Sequence, residues 1–493
     1  MPMEGLKEKA AKGVMWSGAR IWGARAVSFI VFALLGRLLS PDAFGIVALA
    51  SVYINFVYTF QDQGLGAAIV QREELNPEHL DSAFWANILL GGLLSFFSFI
   101  SASLIARLFD EVQMIQIIRW LSLSFILEGL SSVQIAILKR DLAFKELALR
   151  EIIAISISGI IGVILAFLGF GVWSLVAQQL LKLFVGAIVL WRVSSWRPRF
   201  FFSLQHAKDL FSFGLNIVGI RILNFLNLHS DELLIGYFLG STLLGYYTVA
   251  YKMFSVMKDL LTSVTNAVAF PTFSRLQEDP EEMRHTFYQA VWYTSIISFP
   301  VFIGMSLIAP EIIPTFFGPQ WTLSIPVLQV LSFIGILHSI FYFHDSLVYA
   351  VGKPGWRLGL ILLNAITNVI AFAIAVRWGI VAVAAAYVIR GYLLSPIEFW
   401  MVRRLANINL KTYFSQFIGP AFGCLVMTVG ILGLRYIIAD TFNLILQIII
   451  YVLFGAIIYE FGLHLVVPSL WTRLLKALRL VLPERFIPGI RET

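Results

Sequence analysis

Six basic residues interrupt long apolar stretches of this sequence, where a charged side chain is costly. They are Arg20, Arg25, Lys182, Arg221, Lys252 and Arg390. A charged side chain at the centre of a membrane costs at least about 2.5–3.5 kcal/mol, so such residues usually face a partner or a water-filled cavity. Arginine carries a fork of N–H donors that matches phosphate oxygens, and lysine adds a point charge. The six residues therefore predict a cavity that binds the anionic headgroup of a substrate.

Acidic and histidine side chains at comparable depth are fewer. Glu128 is the one carboxylate that we place as deep as the basic residues. His338 and Asp345 share one predicted helix and are candidates for taking up protons in a coupling cycle, although such a histidine is more often a hydrogen-bonded core residue. The excess of basic groups favours an anionic substrate over a cationic one.

The composition of the chain is that of a membrane protein. Hydrophobic residues make up 59% and charged residues 13% of its 493 residues, against roughly 45–50% and about 25% in soluble proteins. The sequence contains neither a GxxxxGK[ST] loop nor an HExxH motif, and it has a single cysteine, Cys424. We therefore expect neither an enzyme nor a cofactor or metal site. The net charge of +7 is expected to lie at the membrane face, so we predict no nucleic-acid partner.

Fourteen apolar runs are long enough to cross a membrane as helices of about 20 residues. They cover residues 12–39, 42–69, 80–108, 114–138, 143–168, 171–192, 207–239, 242–270, 284–309, 322–350, 355–377, 379–402, 412–435 and 442–467. The runs are too long, and lack the two-residue period, for the strands of a β-barrel. They predict an all-α polytopic membrane protein.

The distribution of basic residues predicts the orientation. With the N-terminus in the cytoplasm, 24 Lys and Arg residues lie on that side and five on the other, and the remaining seven lie inside the runs. This bias places both termini in the cytoplasm. The segment after Pro468 reads as a basic amphipathic helix on the same membrane face.

The two halves of the sequence resemble each other. GRLLSPDAFGIVALA from Gly36 aligns without a gap on GYFLGSTLLGYYTVA from Gly236. The glycine pairs that align are Gly36 with Gly236, Gly45 with Gly245, and Gly171 with Gly379. The last pair also places Lys182 on Arg390. Such a repeat predicts two six-helix bundles related by a pseudo-two-fold axis along the membrane normal, an arrangement typical of transporters.

The repeat defines the expected domain boundaries. We predict an N-terminal bundle over 1–194, a cytoplasmic linker over 195–206, a C-terminal bundle over 207–404, helices 13 and 14 over 405–467, and a cytoplasmic amphipathic tail over 468–493.

Four blocks of the sequence resemble a known family. They are GRLLSPDAFGIVALASVYINFVYTFQDQGLGAAIVQRE (36–73), GFGVWSLVAQQLL (169–181), DELLIGYFLGSTLLGYYTVAYKM (231–253) and AFPTFSRLQED (269–279). They resemble the polysaccharide exporters and Wzx-type lipid-linked oligosaccharide flippases of the multidrug/oligosaccharidyl-lipid/polysaccharide superfamily, most nearly the colanic-acid and teichuronic-acid exporter group. The resemblance covers nearly the whole chain.

The resemblance implies a fold like that of the multidrug transporters in this superfamily, with two extra C-terminal helices. It also implies a flippase of the bacterial cytoplasmic membrane that moves polyprenyl-diphosphate-linked oligosaccharide by alternating access for cell-surface polysaccharide biosynthesis. Membrane lipids, a polysaccharide polymerase and glycosyltransferases would be its partners. The alternative is a cation- or proton-coupled multidrug antiporter of the same fold, which would need deep carboxylates such as Glu128.

Overall fold

Helices account for nearly all of the chain that the structure describes. The structure is a computed structural model, and it describes residues 23–61, 65–72, 75–203, 215–277, 279–438 and 441–468. Arg20 and the predicted tail after Pro468 lie outside these residues. Strands are absent from the described ranges, as expected for a chain of long apolar runs in which every backbone group must be satisfied within the membrane. The predicted all-α class is confirmed.

The helices of the first half follow one another with short connections. They are α1 (23–38), α2 (Pro41–Gln61), α3 (Leu65–Gln71), α4 (Pro77–Leu108), α5 (Met114–Leu121), α6 (Leu123–Arg140), α7 (Phe144–Phe167) and α8 (Val172–Val193). The predicted linker is described from residue 195 to residue 203, and it lies on α4. There, the Arg199 backbone N–H donates to Asp81 at 3.0 Å and the Trp85 indole N–H donates to the Arg199 carbonyl at 2.7 Å.

The second half contains longer helices. They are α9 (Leu215–Leu239), α10 (Ser241–Arg275), α11 (Pro280–Leu307), α12 (Ala309–Phe317), α13 (Ser324–Ala350), α14 (Pro354–Ala375), α15 (Ile380–Ala406), α16 (Leu410–Ile438) and α17 (Leu444–Val466). Local signals set several of their starts. Pro280 and Pro354 lie in the first turn, where no backbone donor is needed. The Asn443 side chain caps α17 by accepting from the Leu446 N–H.

Each of the fourteen predicted runs contains helix among the described residues. Eleven helical segments of the described chain are long and apolar enough to cross a membrane. The segments α1, α9 and α10 are not among the eleven. They carry three of the predicted basic residues, Arg25, Arg221 and Lys252. The exact number of crossings therefore stays a prediction.

The chain divides into two compact units. The first consists of Met1–Pro271, Ile313–Leu331 and Lys353–Leu393, and the second of Thr272–Ile312, Ser332–Gly352 and Leu394–Thr493. In the first unit, α7 packs against α8, α4 against α6, and α9 against both α2 and α14. In the second, α16 packs against α11 and α17. The bundle boundaries predicted from the repeat stay a prediction.

Two glycines of the first unit that align in the repeat lie at a close contact between α2 and α10. A Cβ on Gly45 in α2 would overlap the carbonyl oxygen of Ser241, and a Cβ on Gly245 in α10 would overlap the carbonyl oxygen of Pro41. Pro41 aligns with Ser241 in the repeat, as Gly45 does with Gly245. The contact is therefore reciprocal, as a local two-fold relation between the starts of α2 and α10 requires.

The third glycine pair of the repeat also has equivalent roles. Gly171 precedes α8 with φ +54°, and Gly379 precedes α15 with φ +93°. Both values lie in the left-handed region, where glycine lacks the Cβ that makes this conformation unfavourable. A glycine with positive φ thus precedes the sixth predicted helix in each half, which supports the alignment at this position.

An ion pair between α12 and α16 is expected to stabilise the second unit. The Arg435 guanidinium donates to both carboxylate oxygens of Glu311, at 2.8 and 2.7 Å, and to the Leu307 carbonyl at 2.6 Å. The Glu311 side chain is 8% exposed. Because Arg435→Gln would leave a buried carboxylate without its cation, we expect a loss of about 3–5 kcal/mol in the free energy of unfolding. Thermal unfolding of the detergent-solubilised wild type and variant measures this loss of stability.

The matched comparison for that variant removes both charges. Arg435→Gln combined with Glu311→Gln should be more stable than Arg435→Gln alone, because no unpaired charge is left buried. Equal melting temperatures for the wild type and Arg435→Gln would contradict a stabilising role for the pair.

Candidate functional site: a basic cavity and an amide-lined cavity

Three of the six predicted basic residues surround one hollow in the first unit. We call it the basic cavity. Its volume is about 300 Å³, and it is lined by Ala24, Arg25 and Ser28 of α1, Glu151 and Ile155 of α7, Lys182 of α8, and Lys252 and Val256 of α10. Residues more than 200 positions apart in sequence thus meet at one place.

Two of the three cations have acidic neighbours. The Arg25 guanidinium makes a short hydrogen-bonded ion pair with Asp259 of α10. The Lys182 ammonium lies 3.7 Å from a carboxylate oxygen of Glu151. Within the described part of the chain, the Lys252 ammonium has no ion-pair partner. Lys252 therefore carries the least compensated charge of the three.

The basic cavity is positively charged and open to a ligand. Three cations and one carboxylate line it, and the Arg25 and Lys182 side chains are 36% and 44% exposed. The two side chains thus reach into a hollow instead of being sealed in dry packing. Guanidinium and ammonium groups only donate hydrogen bonds, whereas phosphate oxygens only accept them. The cavity is thus chemically matched to a phosphate or diphosphate group.

Two other predicted basic residues lie elsewhere. Arg390 on α15 donates to the Asn364 side chain of α14 at 2.5 Å, and its guanidinium lies 5.6 Å from the ring centre of Tyr387. Arg221 is half-buried on α9. Neither residue lines the basic cavity. Their predicted contact with substrate stays a prediction.

The candidates for coupling belong to different units of the chain. Glu128 is half-buried on α6 in the first unit, whereas His338 and Asp345 are half-buried on α13 in the second. His344, on the same helix as the latter two, is a hydrogen-bonded core histidine. It is fully buried, with Nε2 lying 2.9 Å from the Tyr413 hydroxyl. The coupling roles of Glu128, His338 and Asp345 stay predictions.

A second hollow adjoins the basic cavity in the first unit. We call it the amide cavity. Its volume is about 290 Å³, and its polar lining consists of Ser28, Ser51, Asn55, Gln178, Gln179, His229, Glu232, Thr248 and Lys252. Its apolar lining comes from Phe32, Leu35, Phe44, Val47, Ala48, Val52 and Leu175. Ser28 and Lys252 line both hollows, so the two hollows adjoin at these residues.

The amide cavity contains residues that the sequence reasoning missed. His229 and Glu232 lie one turn apart on α9, and the His229 Nδ1 is 2.7 Å from a Glu232 carboxylate oxygen. Glu232 lies near the end of α9 (Leu215–Leu239), so its depth gave no reason to select it. Neutral amides such as Gln178 and Gln179 carry no charge that would mark them in the sequence. One signal was present. Gln178, Gln179 and Lys182 recur on one face of α8, as the three- and four-residue spacing of a helix requires.

Comparisons with known proteins agree with the resemblance found in the sequence. The chain is 27% identical to "Teichuronic acid biosynthesis protein TuaB" of Bacillus subtilis, covering 97% of this chain and 100% of the relative. It is 29% identical to "Succinoglycan biosynthesis transport protein ExoT" of Rhizobium meliloti, covering 98% of each. It is 27% identical to "Lipopolysaccharide biosynthesis protein WzxC" of Escherichia coli, covering 68% of each.

Solved structures identify the fold, and a family match identifies the family. The lipid II flippase MurJ in its inward closed conformation superposes with a TM-score of 0.76 at 16% identity, covering 93% of this chain and 99% of MurJ. An inward-facing multidrug MATE transporter gives a TM-score of 0.54 at 18% identity, covering 79% and 94%. The predicted superfamily fold is confirmed. Residues 34–326 match the family described as "Polysaccharide biosynthesis protein", and the chain belongs to that family.

Proposed function

We propose that this protein is a flippase that moves a polyprenyl-diphosphate-linked oligosaccharide across the bacterial cytoplasmic membrane. Its family and the transport and biosynthesis names of its relatives support this proposal. The observation that carries it is the convergence of Arg25, Lys182 and Lys252 on one cavity. Such a cavity favours an anionic headgroup over the cationic drugs of the alternative antiporter function.

The charge of the cavity matches the main physical obstacle to this transport. A diphosphate and its sugars lose their hydrogen bonds to water when they enter hydrocarbon, at a cost of several kcal/mol for each unsatisfied group. The ammonium and guanidinium groups of the basic cavity replace the bonds lost by the phosphate oxygens. The polyprenyl chain needs no such compensation and stays in the lipid.

Transport then requires the cavity to open to each side of the membrane in turn. We propose alternating access, in which the rocking of one bundle on the other changes the side from which the cavity is reached. Both termini face the cytoplasm in this proposal, in accordance with the distribution of Lys and Arg. Glycosyltransferases would supply the substrate, and a polysaccharide polymerase would take it up outside.

Deletion of the gene tests this function. A strain without the protein should accumulate one lipid-linked glycan on the cytoplasmic leaflet, detectable by mass spectrometry of the lipid fraction and by its protection from enzymes added outside intact spheroplasts. Re-expression should restore its exposure. Unchanged exposure of all lipid-linked glycans, together with resistance to cationic dyes on overexpression, would instead indicate the antiporter.

A further inference from the structure

The amide cavity presents a different chemistry from the basic cavity. Asn55, Gln178 and Gln179 contribute side-chain amides, and Ser51 and Thr248 contribute hydroxyls. Each amide has two donor hydrogens and an acceptor oxygen, and each hydroxyl both donates and accepts. Sugar hydroxyls have the same dual character, whereas a phosphate needs donors only. The two adjoining hollows are therefore suited to two different parts of one molecule.

Several polar atoms of the amide cavity are available to a ligand. Among the described residues, the side-chain amides of Asn55 and Gln178 have no hydrogen-bond partner. The Thr248 hydroxyl is buried, and within the same part of the chain it also lacks a partner. Gln179 makes only a long hydrogen bond of 3.4 Å to Ser51. The Asn55 side chain is exposed and the Gln178 side chain is half-buried, so both amides can hydrogen-bond to water or a polar ligand. The buried Thr248 hydroxyl gains from a partner, because a buried polar group without one is unfavourable.

The two cavities follow one another along the same helices. From the basic to the amide cavity, the lining residues run Arg25, Ser28 and Phe32 on α1, Lys182 and Gln178 on α8, and Val256, Lys252 and Thr248 on α10. Lys182 and Gln178 are about 6 Å apart along the axis, since each residue of a helix rises about 1.5 Å. This step is short enough for one ligand to enter both cavities.

We propose that the amide cavity is a carbohydrate subsite that binds the sugar attached directly to the diphosphate. This inference rests on the proposed function, because it assumes that a phosphate group occupies the basic cavity. Lys252, which lines both cavities, contacts the junction between phosphate and sugar. The volume of about 290 Å³ is near the lower limit of small-molecule sites, so the subsite accommodates the first sugar and leaves a longer glycan outside it.

Glu232 determines which first sugar the subsite accepts. Its carboxylate lines the cavity beside His229. A carboxylate accepts hydrogen bonds from sugar hydroxyls, but it repels the carboxylate of a uronic acid placed against it. Lys252 also lines the cavity, but in this proposal its charge is taken up by the phosphate, so Glu232 is the carboxylate that faces the sugar. The subsite therefore selects an uncharged sugar at the position next to the diphosphate.

Binding measurements on the purified full-length protein in lipid nanodiscs test the subsite. The probes are polyprenyl diphosphate without sugar, polyprenyl diphosphate-glucose and polyprenyl diphosphate-glucuronic acid. In the wild type, glucose should strengthen binding roughly tenfold over the sugar-free probe, since a few added hydrogen bonds account for that gain, and glucuronic acid should give no gain. Glu232→Gln should restore part of the gain with glucuronic acid.

The variant Asn55→Leu with Gln178→Met should lose the gain from glucose and still bind the sugar-free probe as the wild type does. The control Gln116→Met, at an exposed glutamine of α5, should keep the full gain. If the wild type binds the sugar-free and glucose probes equally, or if the double variant weakens both probes alike, the subsite is wrong while the proposed function stands. If the wild type binds no diphosphate probe, the proposed function itself fails, and the subsite with it.

Discussion

Replacing Lys182 and Lys252 together by glutamine is expected to abolish export of the lipid-linked glycan. Both ammonium groups line the basic cavity, and a hydrogen bond to a charged group contributes about 1.5–3 kcal/mol. Loss of each therefore lowers the affinity for a diphosphate by about 10- to 100-fold. Complementation of a deletion strain, read as surface polysaccharide and as glycan retained inside, measures the effect.

The same variant should fold nearly as well as the wild type. Lys182 loses its ion pair with Glu151, but both side chains are substantially exposed, at 44% and 34%, and an exposed pair contributes at most about 1 kcal/mol. Lys252 has no ion-pair partner among the described residues, so its replacement by a neutral amide removes no such contact. Lys258→Gln is the matched control. Lys258 lies on the same helix as Lys252, but it lines neither cavity. Normal export by the double variant, or an equal loss of export in Lys258→Gln, would contradict the role of the basic cavity.

Replacing Gly45 or Gly245 by alanine is expected to destabilise the protein strongly. Alanine normally stabilises a helix by up to about 1 kcal/mol relative to glycine. At these two positions the added methyl group overlaps a backbone carbonyl oxygen of the facing helix, and backbone cannot move aside as a side chain can. Overpacking of this kind costs about 1–3 kcal/mol or more. Each variant should melt at a lower temperature, and its yield of monodisperse protein should fall.

Gly92→Ala is the control for these variants. Gly92 lies in α4, and a Cβ there would meet no atom within 4 Å. This variant should melt at or above the wild-type temperature, because only the helix propensity changes. If Gly45→Ala and Gly245→Ala also retain the wild-type melting temperature, the reciprocal contact between α2 and α10 does not exist in the folded protein.

The sequence predicted the helices and the relation between its halves because both leave local patterns. A run of about 20 apolar residues identifies a membrane helix without knowledge of its neighbours. The alignment of Gly45 with Gly245 was visible as letters, and the structure shows that the two residues touch at one place. Lys182 and Lys252 were singled out for their depth, and Lys182 also for its alignment with Arg390; the two lysines line one cavity.

Other parts of the site depend on packing that no local pattern encodes. Arg25 pairs with Asp259, 234 residues away, and only the fold brings them together. Arg390 has the same type and depth as Arg25, yet it binds Asn364. Neutral amides such as Gln178 are common within helices, so charge and depth gave no reason to select them. Their position around a cavity is what identifies them.

The most direct measurement is an experimental structure of the wild-type protein in nanodiscs with its lipid-linked glycan bound. We expect the diphosphate in the basic cavity, with phosphate oxygens about 2.7–2.9 Å from the Lys252 ammonium nitrogen and close to Lys182 and Arg25. A diphosphate bound away from these three residues, with the basic cavity filled by solvent alone, would contradict the account.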